Sequence, residues 1–299
     1  MGGTDSLFGA IEAGGTKFIL AVGDRQGGIL KESRIETRDP ASTLREVLNF
    51  FAAAEAQLGR IRAFGIGAFG PVDLRPESPR FGFITTTPKP GWQNTDLLGI
   101  LRRELQRPFG IDTDVNAAAI AEFRWGAGRG LRSLVYVTVG TGIGGGVIHH
   151  GRPVHGLMHP EIGHVPVRRH AADASFAGIC PYHADCLEGL ANGPAILVRT
   201  GRPLSEAAAD AAIWDIEADY LGQLCAQLVL MHSPQRILLG GGVMHGARLF
   251  GGIRRHMLHR LAGYVQEAAL EAADYVTSPG LGDAAGIKGA LALAMDAGG

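Results

Sequence analysis

The amino-acid sequence predicts an α/β protein made of two related domains, and three observations support this prediction. The chain has 299 residues, enough for two ordinary domains with a substantial core. Predicted strands are interspersed with helical patterns, such as the amphipathic pattern over residues 43–58. A strand, a glycine-rich turn and a second strand occur at residues 7–22 and again at 133–149, about 125 residues later. This repetition indicates an internal duplication of one type of domain.

Three glycine-rich turns predict a nucleotide site. Successive glycine N–H groups can approach an anion closely because no β-carbon intervenes. Any one of these turns could instead be a plain tight hairpin, but two matched turns plus a third favour phosphate binding. None has the spacing of a P-loop, and the first two lead into a strand rather than the helix of a dinucleotide site. The predicted phosphate-binding residues are Gly14, Gly15, Thr16 and Lys17, then Gly140, Thr141, Gly142 and Gly144, and finally Gly240, Gly241 and Gly242.

A metal site is predicted where E-I-G-H, ending at residue 164, is followed by C-P-Y-H-A-D-C-L-E at 180–188. His164, Cys180, His183 and Cys186 supply two imidazoles and two thiolates, a set that closes a tetrahedral zinc site. The alternative is two unpaired cysteines near surface histidines, since the chain has eleven histidines. A Cys-x-x-His-x-x-Cys spacing in a chain with three cysteines favours zinc.

Several acidic residues are candidates for binding and catalysis. Glu161 and Glu188 bracket the predicted metal stretch, which would hold both carboxylates rigidly. Asp114 ends a predicted strand, where it could act as a general base toward a hydroxyl. It could instead cap the helix predicted over residues 116–125. Asp112 competes with Asp114 for either role.

The composition excludes several classes of protein. Apolar residues make up 46% and charged residues 19%, and the net charge of −1 gives no sign of a nucleic-acid or membrane-surface partner. No apolar stretch reaches the ~20 residues that span a bilayer. The first residues, M-G-G-T-D-S, lack the basic and apolar segments of a secretory signal. With only three cysteines, the protein is expected in a reducing, cytoplasmic compartment.

Taken together, these motifs resemble those of the ROK family of sugar kinases over nearly the whole chain. The matching segments are E-A-G-G-T-K at 12–17 and G-T-G-I-G-G-G at 140–146 for the two phosphate loops, D-T-D-V-N-A-A-A at 112–119 for the catalytic aspartate, the E-I-G-H and C-P-Y-H-A-D-C-L-E segments for the sugar and zinc motifs, and L-G-G-G-V at 239–243 for the adenosine side. The resemblance implies an actin-like, hexokinase-like pair of ribonuclease-H-type domains with an interdomain cleft and a zinc-binding loop. Residues 1–117 with a C-terminal helix at 286–299 would form the small domain, and 118–285 the large one.

The resemblance also implies residue roles and cofactors. The catalytic aspartate maps onto Asp114. The sugar would be bound by Thr113, Asp114, Glu161, His164 and Glu188, with Gly70 and Pro71 nearby. ATP, Mg²⁺ and Zn²⁺ are the expected cofactors, and a homodimer is the expected assembly.

Three departures from the usual family pattern point to one branch. Glu12 stands where an aspartate is usual and could hold magnesium through water, Thr113 replaces an asparagine, and His183 replaces a cysteine. These residues, with T-T-T-P-K-P-G-W at 85–92, are similar to the bacterial fructokinase branch. The expected reaction is ATP-dependent phosphorylation of D-fructose to fructose 6-phosphate. The alternatives are a glucokinase, mannokinase or N-acetylmannosamine kinase, or, outside enzymes, a sugar-responsive zinc regulatory protein.

Overall fold

The computed structural model describes residues 6–209, 211–245 and 248–299, and these form two compact units. The first unit comprises the residues up to Arg124, Pro153–His159 and Asp283–Gly299, and the second comprises Trp125–Arg152 and Pro160–Gly282. The domain division expected at 117/118 and 285/286 stays a prediction; compared with the first unit, the expected small domain lacks residues 118–124, Pro153–His159 and residues 283–285. Residues 1–5, part of the stretch used to exclude a secretory signal, lie outside the described residues.

In chain order, the strands and helices are as follows. They are β1 (Leu7–Ala13), β2 (Lys17–Gly23), β3 (Ile29–Glu36), α1 (Pro40–Leu58), β4 (Ile61–Ala68), α2 (Leu97–Leu105), β5 (Phe109–Thr113), α3 (Asp114–Trp125), β6 (Ser133–Val139), β7 (Ile143–His149), β8 (Arg152–Pro153), α4 (Leu187–Ala191), α5 (Gly193–Thr200), α6 (Ile213–His232), β9 (Ile237–Gly240), α7 (Arg248–Leu261), β10 (Val276–Thr277) and α8 (Ala285–Gly298).

The first unit is built on a mixed sheet with the strand order β3-β2-β1-β4-β5. β1, β2 and β3 pair antiparallel, whereas β4 and β5 run parallel to β1. The register places Glu12 beside Gly67 and Gly67 beside Asp112. Because parallel strands end at the same edge of a sheet, this edge gathers the polar residues of the candidate site.

Both faces of this sheet are buried, so successive residues of β2 belong to different cores. Phe18 and Leu20 pack in the cluster that includes residues of α1 and α2, while Ile19 packs with α8 on the opposite face. Close approach of α8 requires glycine in the sheet. A β-carbon at Gly65 would lie 2.0 Å from the carbonyl oxygen of Ala290.

The second unit repeats the plan of a hairpin with a parallel strand beside it. Its sheet has the order β10-β9-β6-β7-β8, with β7 antiparallel to β6 and β9 parallel to β6. The helices α6 and α7 pack tightly, since a β-carbon at Gly222 would lie 2.6 Å from the β-carbon of His256. The α/β class and the shared domain plan predicted from the sequence are therefore confirmed.

Local sequence patterns gave some helix boundaries incorrectly. The sequence over residues 94–106 is typical of a helix, but α2 begins only at Leu97, where the Asp96 carboxylate accepts the N–H of Gly99 at 2.8 Å. The sequence over residues 204–210 also predicts a helix, but the structure has a short 3-10 helix there, Leu204–Glu206, and Asp210 lies outside the described residues. Among the described residues, no helix combines the length and apolar character that crossing a membrane requires.

Candidate functional site

Two carboxylates at the polar edge of the first sheet have raised pKa values. Burial, together with the negative charge of Asp114, raises the pKa of Glu12 to about 7. Burial also raises the pKa of Asp114 to about 6, opposed by a hydrogen bond from the N–H of Val115 at 2.8 Å. Both acids therefore titrate near neutral pH.

The Glu12 carboxylate fits a space that depends on a glycine in α8. A β-carbon at Gly286 would lie 2.4 Å from the Glu12 carboxyl carbon. Glu12 Oε2 is buried and has no hydrogen-bond partner among the described residues. A buried oxygen of this kind is costly unless a proton, water or cation satisfies it. The observation fits the expected role of Glu12 toward magnesium-bound water.

Asp112 differs from Asp114 because its carboxylate is occupied by neighbouring groups. The side chain is buried, and Oδ1 accepts the N–H of Thr113 at 2.8 Å and the amide Nδ2 of Asn116 at 2.7 Å. His155 Nε2 lies 3.0 Å from Oδ2. The geometry thus distinguishes a saturated carboxylate, Asp112, from a less occupied one, Asp114.

Thr113 lies between these two acids and caps α3. Its hydroxyl oxygen accepts the N–H of Asn116 at 3.1 Å. The helix begins at Asp114 rather than at Asn116, so Asp114 does not perform the capping role considered for it. The Thr113 hydroxyl proton stays available for a ligand.

A cavity of about 250 Å³ lies in the first unit beside Pro71, which follows a cis Gly70–Pro71 peptide. Thr85 donates its hydroxyl to the Pro71 carbonyl at 3.1 Å, and buried His159 accepts the N–H of Val72 at Nε2. The lining residues are Pro71, Val72, Asp73, Leu74, Arg75, Thr85 and residues 155–159. The expected sugar-side residues Gly70 and Pro71 therefore adjoin a real cavity.

The first glycine turn leaves its tip open. Gly14 donates its N–H to the Lys17 carbonyl at 3.1 Å, and Thr37 donates its hydroxyl to the Gly14 carbonyl at 2.7 Å. The side chains of Thr16 and Lys17 are exposed, and the space beside Gly15 is empty. The turn can therefore accept an anion without rearranging its carbonyls.

The second glycine turn is joined to the beginnings of α4 and α5. Gly193 donates its N–H to the Gly140 carbonyl at 2.8 Å, and Asn192 donates its amide to the Thr141 carbonyl at 3.0 Å. Glu188 Oε2 accepts the N–H of Ile143 at 2.8 Å. Glycine is needed at position 142, because a β-carbon there would lie 2.7 Å from that same oxygen.

The third glycine run continues β9 into a short 3-10 helix, Gly242–Met244. Gly241 has a φ of 90°, and a β-carbon there would lie 2.5 Å from the Val139 carbonyl oxygen. Glycine is therefore required by both conformation and space. Gly144 lies within β7, opposite Thr138 of β6, rather than in a turn. The second expected phosphate turn and the expected adenosine-side glycine run therefore both lie in the second unit.

The four predicted metal ligands converge in the second unit. All four ligand atoms lie within 4.8 Å of one another. His164 Nδ1 is 3.5 Å from Cys186 Sγ and 3.8 Å from Cys180 Sγ, and His183 Nδ1 is 3.7 Å from Cys180 Sγ. Tetrahedral zinc, with bonds of ~2.0–2.3 Å, separates its ligands by about 3.3–3.8 Å. The chemistry and spacing of this donor set therefore fit zinc.

The loop carrying these ligands is closed by backbone contacts. Cys180 and Ala184 exchange two backbone hydrogen bonds, of 3.1 and 2.9 Å. Ala184 has a φ of 56°, and its carbonyl would lie 2.0 Å from a β-carbon at Gly189. These contacts fix the local conformation of the loop in which the Cys180 and Cys186 thiols lie close together.

The E-I-G-H turn, which contributes His164, is pressed against β7. A β-carbon at Gly163 would lie 1.8 Å from the Ile143 carbonyl oxygen. Glu161 directly precedes the short 3-10 helix Ile162–His164 and accepts the N–H of His164 at its carbonyl. His164 faces the thiols through Nδ1, while its Nε2 lies 3.9 Å from Glu188 Oε1. One imidazole can thus serve a metal and a second ligand.

A buried ion network supports this part of the second unit. Arg199 makes a bidentate contact with Asp173, at 2.8 and 3.0 Å, and a single contact with Glu217 at 3.2 Å. It also donates to the Leu190 carbonyl in α4 at 2.6 Å. Tyr220 donates its hydroxyl to Asp173 at 2.7 Å. Arg199 therefore links α4 to α5, α6 and the stretch preceding Cys180.

Comparison with known proteins identifies the class that this fold and these motifs define. The family model described as "ROK family" matches residues 8–297. The chain belongs to the ROK family. It is 45% identical to a fructokinase from Zymomonas mobilis over 97% of each chain, and 41% identical to a fructokinase from Pediococcus pentosaceus over 97% of this chain and 98% of that one.

Solved structures agree with this assignment. A ROK hexokinase from Thermus thermophilus has a TM-score of 0.76 at 29% identity, covering 97% of this chain and 98% of that chain. A ROK family glucokinase from Streptomyces griseus, in complex with glucose and AMPPNP, has a TM-score of 0.75 at 26% identity, covering 97% and 100%. The expected actin-like fold class is confirmed.

The sequence-predicted residues divide between the two units. The first unit holds Glu12, the first glycine turn, Gly70, Pro71, Asp112, Thr113 and Asp114, and the remaining predicted residues lie in the second. Sequence analysis missed His155 and Asn116, which surround Asp112. Their only sequence signal is a pair of histidines in H-G-L-M-H at 155–159, which does not indicate a partner 43 residues away.

Proposed function

We propose that this protein catalyses ATP-dependent phosphorylation of a hexose, with D-fructose as acceptor and fructose 6-phosphate as product. The observation that carries the proposal is Asp114, a partly buried carboxylate with a pKa of about 6 at the start of α3. It lies in a chain that is 45% identical to one fructokinase and 41% identical to another. A base with this pKa is ionised at pH 7 yet basic enough to accept a hydroxyl proton.

Asp114 rather than Asp112 is the proposed general base. The Asp114 carboxylate accepts the N–H of Val115 and otherwise only its own backbone N–H, so among the described residues no side chain donates to it. Asp112 instead accepts hydrogen bonds from Thr113 and Asn116 and contacts His155. Proton transfer requires a free lone pair within hydrogen-bond reach of the substrate hydroxyl, so the less occupied carboxylate is favoured. The γ-phosphoryl group would then pass in line to the sugar oxygen.

The glycine turns are proposed to hold the nucleotide. In the first turn, exposed Thr16 and Lys17 flank the open space beside Gly15 and would contact phosphate oxygens. Magnesium, when bound, would neutralise charge on the transferring phosphate. Glu12 would hold it through water, because Glu12 Oε2 is a buried oxygen with no protein partner among the described residues.

The metal cluster is proposed to bind one structural zinc ion. Two thiolates and two imidazoles complete a tetrahedral set, which leaves no open position for a catalytic water. The zinc would fix His164, whose Nε2 faces Glu188, while Glu161 lies at the same turn. Glu161, His164 and Glu188 are the proposed sugar-binding residues of the second unit. The expected homodimer and cytoplasmic location stay predictions.

The acceptor sugar is tested by ADP release with fructose, glucose, mannose and N-acetylmannosamine at one ATP concentration. We expect fructose to give the highest kcat/KM, and coupling through glucose-6-phosphate isomerase and its dehydrogenase will identify fructose 6-phosphate as product. Relatives named glucokinase are only 26–28% identical to this chain, which ranks glucose second. A more than tenfold preference for glucose would replace the fructokinase assignment. Sugar binding without ADP release from any sugar would favour a regulatory protein.

A further inference from the structure

His155 is held at the back of the candidate site by two polar side chains. Its Nε2 lies 3.1 Å from Asp112 Oδ1 and 3.0 Å from Oδ2. Asn116 lies 3.3 Å from the same nitrogen and donates its amide to Asp112 Oδ1 at 2.7 Å. Asp112 and Asn116 are both buried; Asp112 fixes the orientation of the ring from its inner side, and Asn116 holds the Asp112 carboxylate in place by donating to it.

This arrangement determines which ring nitrogen is available to a ligand. An ionised carboxylate only accepts hydrogen bonds, so His155 Nε2 must carry the proton that faces Asp112. The hydrogen bond to Asp112 also raises the pKa of His155. Nδ1 has no partner among the described residues. It can accept from a hydroxyl when the ring is neutral and donate to one when the ring is protonated.

The exposed part of His155 lines the cavity of about 250 Å³ beside Pro71. This volume equals the share of about eight water molecules, which is room for a monosaccharide rather than a nucleotide. The other polar groups of the lining already have protein partners. Asp73 pairs with Arg75 at 2.8 Å, and the Thr85 hydroxyl donates to the Pro71 carbonyl.

The neighbouring His159 shows what a purely structural histidine in this loop looks like. It is 5% exposed and accepts the N–H of Val72, so it is confined by the fold. The His155 side chain is 38% exposed although two buried polar groups hold it. The ring is held by the protein at Nε2 and exposed on its other side, so it is oriented to contact a ligand.

We propose that His155 contacts the acceptor sugar through Nδ1, and that Asp112 and Asn116 are positioning residues that hold its ring. This inference rests on the proposed function, and it assigns the cavity beside Pro71 to a polyhydroxylated six-carbon sugar. Because a sugar hydroxyl both donates and accepts, either protonation state of His155 can make the contact. Asp112, which the sequence offered as an alternative general base, is thereby assigned the role of orienting His155.

Two conservative substitutions separate the contact of His155 Nε2 with Asp112 from the proposed contact of Nδ1 with the sugar. In His155→Gln the terminal amide can still donate to Asp112, but nothing replaces Nδ1. In His155→Asn the amide lies near the position of Nδ1, but the link to Asp112 is lost. Loss of one sugar hydrogen bond is expected to raise KM for fructose about three- to tenfold in His155→Gln, with kcat and KM for ATP within about twofold. His155→Asn is expected to restore part of the fructose affinity. The matched control is His149→Gln, at an exposed histidine at the end of β7.

Fructose binding is also measured directly by titration calorimetry on each variant, after circular dichroism and thermal unfolding have established that it is folded. Unchanged fructose affinity in both His155 variants overturns the inference, as does an equal rise of KM for ATP and for fructose. If wild-type protein binds fructose but releases no ADP, the proposed function fails, and the titrations still decide the role of His155. If wild-type protein binds no hexose, both proposals are overturned.

Discussion

Glu188 accepts the backbone N–H of Ile143 at 2.8 Å, so the first turn of α4 is tied to the second glycine turn. The other carboxylate oxygen of Glu188 lies 3.9 Å from His164 Nε2. One side chain therefore joins the turn proposed to hold phosphate to the residues proposed to hold the sugar. Because Glu188 makes both contacts, its replacement by Gln and its replacement by Ala should have different effects.

We predict that Glu188→Gln raises KM for fructose about tenfold with little change in KM for ATP. The amide oxygen can still accept the Ile143 N–H, but the charged acceptor for the sugar is lost, which costs roughly 1.5–3 kcal/mol at most. Glu188→Ala removes both contacts, so it should raise KM for both substrates. Steady-state kinetics with Glu206→Gln, an exposed glutamate, as control will test this. Equal behaviour of the two Glu188 variants would contradict the coupling.

Asp114→Asn is expected to lower kcat by about 10²–10⁴, since the amide keeps the size but cannot accept the proton. Fructose binding should be largely retained in a direct titration. The wild-type kcat/KM should also fall below about pH 6, where Asp114 becomes protonated. A near wild-type rate for Asp114→Asn, with an inactive but folded Asp112→Asn, would show that the wrong carboxylate was chosen.

Protein stability should decrease as pH rises through the range in which Glu12 ionises. The folded-state pKa of Glu12 is raised from 4.5 to about 7, so between these values the folded state holds a proton that the unfolded state has released. The resulting loss is on the order of 2–3 kcal/mol between pH 4 and pH 8. Thermal unfolding in magnesium-free buffer at pH 5 and pH 8 will measure it. Glu12→Gln should reduce this dependence and leave the part that comes from the raised pKa of Asp114, and an unchanged dependence would exclude Glu12 as a source.

Metal analysis should find about one zinc per chain, as a closed four-ligand set requires. Cys180→Ser should lose the metal, lower Tm and weaken fructose binding, because the loop that carries the proposed sugar ligands loses its centre. Cys225→Ser is the matched control, since Cys225 is buried in α6 and is not among the four clustered ligands. Full activity and wild-type Tm in metal-free protein would contradict a structural zinc.

Substitutions in the buried ion network should have unequal effects. Arg199→Met leaves Asp173 without its bidentate partner, which we expect to cost about 3–5 kcal/mol of unfolding free energy. Burial raises the pKa of Glu217 well above its ordinary value despite the nearby Arg199. Glu217→Gln mimics the protonated acid and should cost less than about 1 kcal/mol. Urea unfolding of both variants will test this, and equal losses would contradict it.

The sequence predicted most of what depends on local pattern. The strand–glycine–strand repeats correspond to β1 with β2 and β6 with β7, and the four residues predicted as metal ligands lie together. Such features are encoded within about 30 residues of chain, where periodicity and ligand spacing can be read directly.

Features that depend on distant contacts were missed. β3 is an edge strand whose half-buried residues alternate with exposed ones, but most of its residues are polar, so its pairing with β2 rather than its apolar pattern defines it. The start of α3 was predicted two residues late because the capping hydroxyl of Thr113 was overlooked. His155 reaches Asp112 only after the segment Pro153–His159 joins the first unit. Tertiary placement of this kind has no local signature.

The glycine near the start of α8 implies that position 286 can acquire a side chain only where position 12 carries a shorter acid. A methyl group at position 286 would collide with the Glu12 carboxylate, at 2.4 Å from its carboxyl carbon. An aspartate at position 12 would withdraw that carboxylate by about one methylene, ~1.5 Å, and vacate the space. Gly286→Ala should therefore inactivate the protein alone but be tolerated beside Glu12→Asp. In an evolving lineage, the length of the acidic side chain at position 12 would determine which residues can occupy position 286, in the first turn of α8.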